Sequence, residues 1–337
     1  MDEGARMPAI LAMSEASLAE VFSTRALARL ERAVELIGPR PIVEFDSPAS
    51  RAALAKARIM ITGWNPPRVD GKVIDAAPNL HAIVHSAGTV KTFLSEDVLL
   101  RGIRVSSCAA ANAIPVAEFT FASIVFGLKR AGRFSARLRE THSARDATGM
   151  PPIGASGVTI GLVGASRVGR EVVRLLRNID VRILVSDPYL PHTEASALGI
   201  ELTTLDDLCR RSDVLSLHAP LTAETRGLIG ERQLALLHDG AVVINTARGQ
   251  LIDTAALTAE LVSGRLDAYL DVTDPEPLPE DSPLYELPNV TLTPHIAGAL
   301  GNEVVRLGDL AVDEIERLVF GAPLQHEIRH ADLARIA

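Results

Sequence analysis

Three short segments of the chain carry side chains of the types that do acid–base and anion-binding chemistry. Arg248 offers a planar fork of donors that fits a carboxylate, His295 can exchange a proton near neutral pH, and Glu276 is a carboxylate that can orient an imidazole. Each alone has a plainer interpretation, respectively a surface arginine, a structural loop histidine and a solvated carboxylate. The segments that hold them are residues 245–249 (NTARG), 270–277 (LDVTDPEP) and 293–298 (TPHIAG).

These segments lie within a series of strand-like and helix-like patterns that begins at residue 158. Such alternation is typical of parallel strands joined by crossover helices, and ligands bind such sheets beyond the carboxyl ends of the strands. The series therefore predicts a doubly wound domain of dinucleotide-binding size. Its predicted strands are 158–163, 181–186, 214–217, 241–244, 268–271 and 290–292, and its predicted helices are 168–178, 205–211 and 255–262.

A shorter α/β series comes first in the chain. Residues 14–36 have a helical apolar period, which forms either one helix or two helices divided at Ser23 and Thr24. Residues 48–57 are also helical, whereas strands are predicted at 41–45, 59–62 and 81–85. This series predicts a smaller α/β layer domain.

The segments around the second series indicate how the domains connect. Residues 109–129 predict a long apolar helix, and the polar residues 131–156 predict an extended arm or linker. Residues 302–320 are again helical, and because the second domain already looks complete we expect this tail to fold back on the first. The predicted domains are a catalytic, substrate-binding domain of residues 1–108 plus 299–337 and a dinucleotide-binding domain of residues 109–298.

A glycine-containing turn joins the first strand and helix of the second series. Gly164-Ala165-Ser166-Arg167-Val168-Gly169 provides backbone N–H groups and a helix N-terminus that suit a pyrophosphate. The turn departs from the G-x-G-x-x-G pattern at Ser166, whose hydroxyl can itself donate to a phosphate oxygen. The sequence therefore predicts that Gly164, Ser166, Arg167, Val168 and Gly169 bind the cofactor.

Asp187 closes the next predicted strand, 23 residues after Gly164. An acid there accepts hydrogen bonds from the adenosine ribose hydroxyls, although a turn residue before Pro188 is the plainer interpretation. Since a carboxylate would repel a 2′-phosphate and no Arg or Lys follows it at residues 188–192, the sequence favours NAD over NADP.

Taken together, the three segments resemble the D-isomer-specific 2-hydroxyacid dehydrogenase family, whose marks are N-x-A-R-G, D-V-x-x-x-E-P and T-P-H-I-A-G. The resemblance covers essentially the whole chain, including residues 111–118 (ANAIPVAE) and 212–225 (SDVLSLHAPLTAET). It implies two Rossmann-like or flavodoxin-like doubly wound parallel-sheet α/β domains with a cleft between them. It also implies a homodimeric oxidoreductase that moves a hydride between NAD(H) and a small D-2-hydroxy or 2-keto acid.

The resemblance also implies a role for each residue. His295 would be the proton donor to the carbonyl oxygen, Glu276 its acid partner, and Arg248 the cation that pairs with the substrate carboxylate and polarises the carbonyl. Asp271 would lie near the nicotinamide carboxamide. Every cofactor assignment has an ordinary turn or packing interpretation as well, and the remaining ones implied by the resemblance are Ala219, Thr225, Thr246, Ala247 and Gly298.

One loop departs from the family pattern. The family's substrate loop reads close to R-x-G-x-G and presents backbone N–H groups to a carboxylate, whereas this chain reads HSAGTVK at residues 85–91. We expect Ala87, Gly88 and Thr89 to bind substrate. The arginine is absent and Val90 replaces the second glycine, so the loop does not identify the substrate. Lys91 beside the loop is either a site for an extra anionic group or an exposed lysine without a role.

Two other functions remain open at this level. A phosphite or other small-anion dehydrogenase would use the same scaffold, although the formate enzymes of this superfamily carry Gln in place of Glu276. A non-catalytic NAD-binding regulator, similar to the corepressors among the family's relatives, would not need the three charged residues. Their presence favours an enzyme.

Composition argues against several classes of partner. The formal net charge is −8 over 337 residues, and no concentrated basic face suits nucleic acid or an anionic membrane. The basic stretch 130–145 is broken by Glu140 and is interpreted as a solvated connector. Cys108 and Cys209 have no metal-ligand spacing, so we expect reduced thiols and no metal. No apolar run reaches the roughly 20 residues that cross a bilayer, which favours a soluble, cytoplasmic protein.

Overall fold

The computed structural model describes residues 6–143 and 154–335, and the chain divides into two compact units. The first unit contains the chain up to Asn112 and again from Ala299 onward, and the second runs from Ala113 to Gly298. The divisions predicted from the sequence fall after residues 108 and 298. Each unit is built around its own sheet.

The helices and strands are numbered in chain order. The strands are β1 (Met7–Ala12), β2 (Val34–Leu36), β3 (Ile59–Thr62), β4 (Ala82–His85), β5 (Arg104–Ser107), β6 (Val158–Val163), β7 (Val181–Ser186), β8 (Glu201–Leu202), β9 (Val214–Leu217), β10 (Val242–Asn245), β11 (Asp267–Leu270), β12 (Val290–Leu292) and β13 (Glu327–Ile328). The α-helices are α1 (Glu15–Val21), α2 (Thr24–Ala33), α3 (Pro48–Leu54), α4 (Gly71–Ala76), α5 (Asp97–Leu100), α6 (Ala109–Leu128), α7 (Ala131–Thr141), α8 (Arg167–Leu176), α9 (His192–Ala197), α10 (Leu205–Arg211), α11 (Glu231–Leu236), α12 (Thr254–Val262) and α13 (Val305–Val319).

The first unit is a six-stranded sheet in the order β13-β5-β4-β3-β1-β2. Strand β13 pairs antiparallel with β5, and the other pairs are parallel. Successive residues of a strand point to opposite faces, so Ile10 and Ile83 pack in one apolar core while Leu11 and Val84 pack in the other. Helix α13 packs against α1 and α2 over the second core, which joins the C-terminal tail to this unit.

The second unit is a seven-stranded parallel sheet in the order β12-β11-β10-β9-β6-β7-β8. Strands β9 and β10 are buried throughout, as expected for parallel strands covered on both faces. The chain winds from β6 to one edge and then from β9 to the other, so the strand order reverses beside β6. The candidate functional segments follow the carboxyl ends of β6, β7, β10, β11 and β12.

Two predictions near the N-terminus are wrong. Residues 41–45 form no strand, and Ile42 makes only an isolated bridge to Ala12. The edge strand beside β1 is instead β2, which was assigned to the end of the preceding helical pattern. The helical period of residues 14–36 conceals β2 because three residues are too few to display an alternation of their own.

The predicted arm and connector also need correction. Residues 131–141 form helix α7 rather than an extended segment, and residues 144–153 of the predicted arm lie outside the described part of the chain. Arg130 is not solvated, because it is 3% exposed and forms an ion pair with Asp267. Asp267 is equally buried and also pairs with Arg133, which offsets the cost of burying these charges.

Helix α6 corrects the expectation that no apolar run reaches membrane-spanning length. Its 20 residues are long and apolar enough to cross a bilayer by length and composition alone. Within the second unit, however, Ala117, Ile124 and Leu128 of this helix are buried in the core that also contains residues of β6 and α8. The apolar surface of α6 therefore serves as a core surface of that unit.

Candidate active site

The turn that carries Arg248 is fixed by the asparagine that ends β10. The side-chain amide of Asn245 donates to the Arg248 carbonyl oxygen at 2.8 Å, and its Oδ1 accepts from the Ala247 N–H at 3.0 Å. Sequence reasoning did not single out Asn245. The signal was present, since an asparagine directly after a strand commonly bonds the backbone two or three residues ahead.

Gly249 brings this turn against the segment that follows β11. A Cβ atom on Gly249 would lie 2.0 Å from the carbonyl oxygen of Thr273. Backbone meets backbone there, so the position accepts only a glycine. The contact places the NTARG turn beside the DVTDPEP segment.

Arg248 itself is a partly buried cation. Its Nη1 donates to the carbonyl oxygen of Ala247 at 2.6 Å, and it forms no ion pair with any residue between 6 and 143 or 154 and 335. Burial lowers the pKa of the guanidinium, while the charge of Glu276 acts in the opposite direction. The remaining donors of this guanidinium suit an incoming carboxylate.

His295 and Glu276 form a direct pair. The His295 Nδ1 lies 2.7 Å from Oε1 of Glu276, and the two side chains are 52% and 43% exposed. An ionised carboxylate only accepts hydrogen bonds, so this contact assigns the proton to Nδ1. The other ring nitrogen, Nε2, is then the one that can exchange a proton with a bound molecule.

The backbone at His295 is held in a conformation that residues other than glycine rarely adopt. Its φ is +55°, within the left-handed region. The His295 N–H donates to the carbonyl oxygens of Asp271 at 2.9 Å and Thr293 at 3.0 Å. Such conformations persist when the surroundings impose them, often at functional sites.

Asp271 imposes much of this loop geometry. It is 3% exposed, and its carboxylate accepts from the Thr293 hydroxyl at 2.6 Å, the Ile296 N–H at 2.8 Å and the Ala297 N–H at 2.9 Å. Both carboxylate oxygens are therefore engaged with the loop on either side of His295. The contact to the nicotinamide carboxamide that the family resemblance implies remains a prediction.

The turn after β6 fits a dinucleotide pyrophosphate. Gly164 has φ of +98°, and a Cβ there would lie 2.7 Å from the backbone N of Ala219. Ser166 caps helix α8, accepting from the Gly169 N–H at 3.3 Å. The N–H groups of Arg167 and Val168 make no hydrogen bond to the described part of the protein, so the helix N-terminus has donors available for a phosphate.

Asp187 lies beside that turn. Its Oδ2 accepts from the Ala165 N–H at 2.7 Å and its Oδ1 from the Tyr189 N–H at 2.8 Å. The turn role considered from the sequence is thus present. Each oxygen keeps a further lone pair for a ribose hydroxyl, so both interpretations remain compatible.

Two of the remaining cofactor candidates turn their hydroxyls toward the protein. The Thr246 hydroxyl is 2.7 Å from that of Thr120 on α6, and the Thr225 hydroxyl donates to the Pro220 carbonyl oxygen at 2.6 Å. A cofactor contact from these residues would therefore come mainly from the backbone. Ala219 is buried against Gly164, Ala247 lies in the Arg248 turn, and Gly298 ends the second unit.

The predicted substrate loop belongs to the first unit and follows β4. The N–H groups of Ala87, Gly88 and Thr89 have no hydrogen-bond partner among the residues with a described position. Behind them His85 is buried, with Nδ1 2.9 Å from the Thr62 hydroxyl and its ring 4.8 Å from that of Phe93. Burial lowers the pKa of His85 to about 3, so the imidazole is neutral and adds no cation to the loop.

Comparison with known proteins identifies the family. Residues 121–297 match the family model described as the NAD-binding domain of D-isomer specific 2-hydroxyacid dehydrogenases, which is more than half of the chain. The chain belongs to the D-isomer specific 2-hydroxyacid dehydrogenase family. The family, the two parallel-sheet α/β domains and the NAD cofactor predicted from the sequence are thereby confirmed.

Relatives within the family differ in length. The chain is 32% identical to the D-3-phosphoglycerate dehydrogenase of Archaeoglobus fulgidus, over 77% of this chain and 49% of that protein. It is 32% identical to the glyoxylate reductase of Aeropyrum pernix, over 88% of this chain and 91% of the reductase. The chain thus spans about half the length of the phosphoglycerate dehydrogenases it matches. A crystal structure of a phosphoglycerate oxidoreductase from Rhizobium etli superposes with a TM-score of 0.82 at 27% identity, covering 96% of this chain and 98% of that one.

Proposed function

We propose that this protein is an NAD-dependent dehydrogenase of small D-2-hydroxy acids, equally able to reduce the corresponding 2-keto acids. The observation that carries the proposal is the 2.7 Å pair of His295 and Glu276, in the same unit as the partly buried Arg248 that has no ion-pair partner among the described residues. A proton donor and a fixed cation are what the reduction of a 2-keto acid requires.

Each side chain then has one task. In the reductive direction His295 donates a proton from Nε2 to the carbonyl oxygen as that oxygen gains negative charge, and in the oxidative direction it takes the proton back. Glu276 accepts the Nδ1–H, which fixes the tautomer and the orientation of the ring. Arg248 binds the substrate carboxylate and polarises the carbonyl.

Bound NADH supplies the hydride, so that a 2-keto acid, NADH and one proton give a 2-hydroxy acid and NAD⁺. The N–H groups at the start of α8 that have no partner among the described residues, with Ser166 and the close-packed Gly164, support pyrophosphate binding. Asp187 at the end of β7 supports binding of the ribose hydroxyls and repels a 2′-phosphate. We expect NADH to be used well ahead of NADPH.

Two relatives were compared above, and the glyoxylate reductase matches this chain better in length than the phosphoglycerate dehydrogenase does. Small substrates are favoured for that reason. A panel of glyoxylate, hydroxypyruvate, pyruvate and longer 2-keto acids, followed by NADH absorbance and repeated with NADPH, tests the proposal. Turnover of at least one short 2-keto acid with NADH is expected. Tight NADH binding without turnover of any member would instead support a non-catalytic regulator.

We also propose a homodimer in the cytoplasm. Phe134 and Leu138 are four residues apart on α7, so they share a helix face, and they are 39% and 48% exposed. None of the residues of α7 is buried within the chain, which leaves this face for a second copy. Sedimentation should give a dimer mass at micromolar protein, and a double change of Phe134→Glu and Leu138→Glu should give a monomer. A wild-type monomer would refute the proposal.

A further inference from the structure

The two peptide groups that flank Ala165, in the glycine-containing turn after β6, are held by side chains from two different segments. The Ala165 N–H donates to Oδ2 of Asp187 at 2.7 Å, and the Ala165 carbonyl oxygen accepts from Nε of Arg170 at 2.8 Å. Asp187 follows β7, whereas Arg170 lies in the first half of α8. The turn is therefore held from both sides at one residue.

The bond from Arg170 also decides the direction of the next N–H group. The carbonyl of Ala165 and the N–H of Ser166 belong to one planar trans peptide, so they point in opposite directions. The Ser166 N–H, like those of Arg167 and Val168, makes no hydrogen bond within the described part of the chain. Arg170 therefore orients a donor at the start of α8 that the described residues leave available for a ligand.

Arg170 is itself held by Glu194. Its Nη1 forms an ion pair with Oε1 of Glu194, which lies in the first turn of α9. The segment from Asp187 to Glu194 therefore reaches Ala165 twice, directly at its start and through Arg170 at its end. Both side chains of the pair are partly exposed, so the pair contributes little to stability. Its effect is to give the planar Arg170 guanidinium a fixed place.

We infer that Arg170 is a positioning residue for the pyrophosphate of NAD(H), held in place by Glu194. It acts through the peptide that joins Ala165 and Ser166, and it directs the Ser166 N–H toward the phosphates. A rotation of that peptide would turn the Ala165 carbonyl oxygen toward the phosphates, where its partial negative charge is repelled. The bond from Arg170 opposes this rotation. The inference concerns the cofactor, so it does not depend on which acid is the substrate.

A purely electrostatic role of Arg170 predicts the opposite response to a change of Glu194. If Arg170 only attracted the phosphates by its charge, removing the neutralising carboxylate would strengthen dinucleotide binding. If Arg170 positions the turn, removing Glu194 lets the guanidinium leave the Ala165 oxygen, and dinucleotide binding weakens. Glu194→Ala therefore separates the two roles by the sign of its effect.

Calorimetric titration of the protein with NADH and with ADP-ribose measures the contribution of Arg170. ADP-ribose keeps the adenosine and the pyrophosphate but lacks the nicotinamide. Arg170→Met keeps the aliphatic stem without a donor, and it should raise both dissociation constants roughly 10-fold, as for one lost hydrogen bond to a charged group. Glu194→Ala should also raise both. The double variant should match Arg170→Met alone, because both changes act through the same contact.

Arg174→Met is the matched control. Arg174 lies four residues farther along the same helix, where its Nε donates to Oε2 of Glu171 at 2.7 Å and its side chain is 59% exposed. The change removes the same charge and the same donors without touching Ala165, so both dissociation constants should stay within about twofold of the wild-type values. Circular dichroism and thermal unfolding check that each variant is folded.

Wild-type affinity for NADH and ADP-ribose in a folded Arg170→Met protein would overturn the inference. Unchanged or tighter binding by Glu194→Ala, or an equal loss of affinity in Arg174→Met, would overturn it as well. If Arg170→Met fails to fold, Glu194→Ala still decides, because the sign of its effect differs between the two roles. A wild-type protein that binds neither ligand overturns the pyrophosphate site and the inference with it.

Discussion

At the scale of single residues, the chemistry depends on how three charged side chains divide their contacts. Glu276 takes Nδ1 of His295 and also raises the pKa of Arg248 against the effect of burial. One carboxylate therefore acts on both the proton donor and the cation. Removing the charge of Glu276 should weaken proton transfer by His295 and substrate binding by Arg248, without displacing either side chain.

We expect His295→Ala to lower kcat by roughly two to four orders of magnitude, the range typical of lost acid–base catalysis. Glu276→Gln should have a smaller effect, because the glutamine oxygen still accepts from Nδ1 and keeps the ring oriented, although the negative charge beside the ring is lost. Steady-state kinetics with NADH measures both, and NADH titration with circular dichroism checks that each variant is folded. Near-normal turnover in a folded His295→Ala protein would rule out its proposed role.

The three catalytic candidates could be predicted because each is marked by the residues next to it in the sequence. Arg248, Glu276 and His295 each lie in a short motif after a strand, and strand ends of a parallel sheet meet at one edge. The burial of a charged side chain, and its pairing with a residue far away in the sequence, could not be predicted in the same way. Nothing around Arg130 reveals its contact with Asp267, which is 137 residues away.

At the scale of elements, the site depends on backbone packed directly against backbone. The contact of Gly249 with the Thr273 carbonyl holds the NTARG turn against the DVTDPEP segment, and Asp271 holds the loop of His295. The three catalytic candidates are thus carried by segments that brace one another. A small displacement of one of these segments should therefore displace the catalytic side chains on the other two.

Gly249→Ala tests this bracing. A methyl group 2.0 Å from the Thr273 oxygen must push the segments apart, and a shift of about 1 Å near a catalytic group can cost roughly 100-fold in kcat/KM. Gly154→Ala is the control, because a Cβ there meets no atom of the described residues within 4 Å. Equal kcat/KM in the two variants would show that the contact does not position Arg248.

Sequence patterns identified several short strands correctly. Strands β3, β6, β7, β9 and β12 were predicted with the bounds that the structure has, although β12 is an edge strand of three residues. Strand β1 was not predicted despite its six residues, and the edge strands β2, β8 and β13 have too few residues for a period of their own. Helix α7 was interpreted as an arm because its arginines suggested solvent, although two anchors, Arg130 and Arg133, fix its start to Asp267.

At the scale of the whole molecule, each unit contains one deeply buried neutral histidine. His85 lies in the first unit, and His218 follows β9 in the second, with Nε2 2.9 Å from the Ser216 hydroxyl. Burial lowers the pKa of both to about 3. Neither folded unit can therefore take up these protons in mild acid, whereas the unfolded chain can.

This difference predicts that both units lose stability as the pH falls. Unfolded histidine binds a proton below about pH 6.5, so between pH 6.5 and 3 the unfolded state binds more protons and the free energy of unfolding rises with pH. Each histidine should remove about 2 kcal/mol between pH 7 and pH 5. Urea unfolding followed by circular dichroism at both pH values measures the loss. His218→Asn should reduce this loss of unfolding free energy by the share of one histidine, because asparagine does not titrate. If the loss between pH 7 and pH 5 is the same in the variant as in the wild type, His218 is protonated in the folded protein at pH 5.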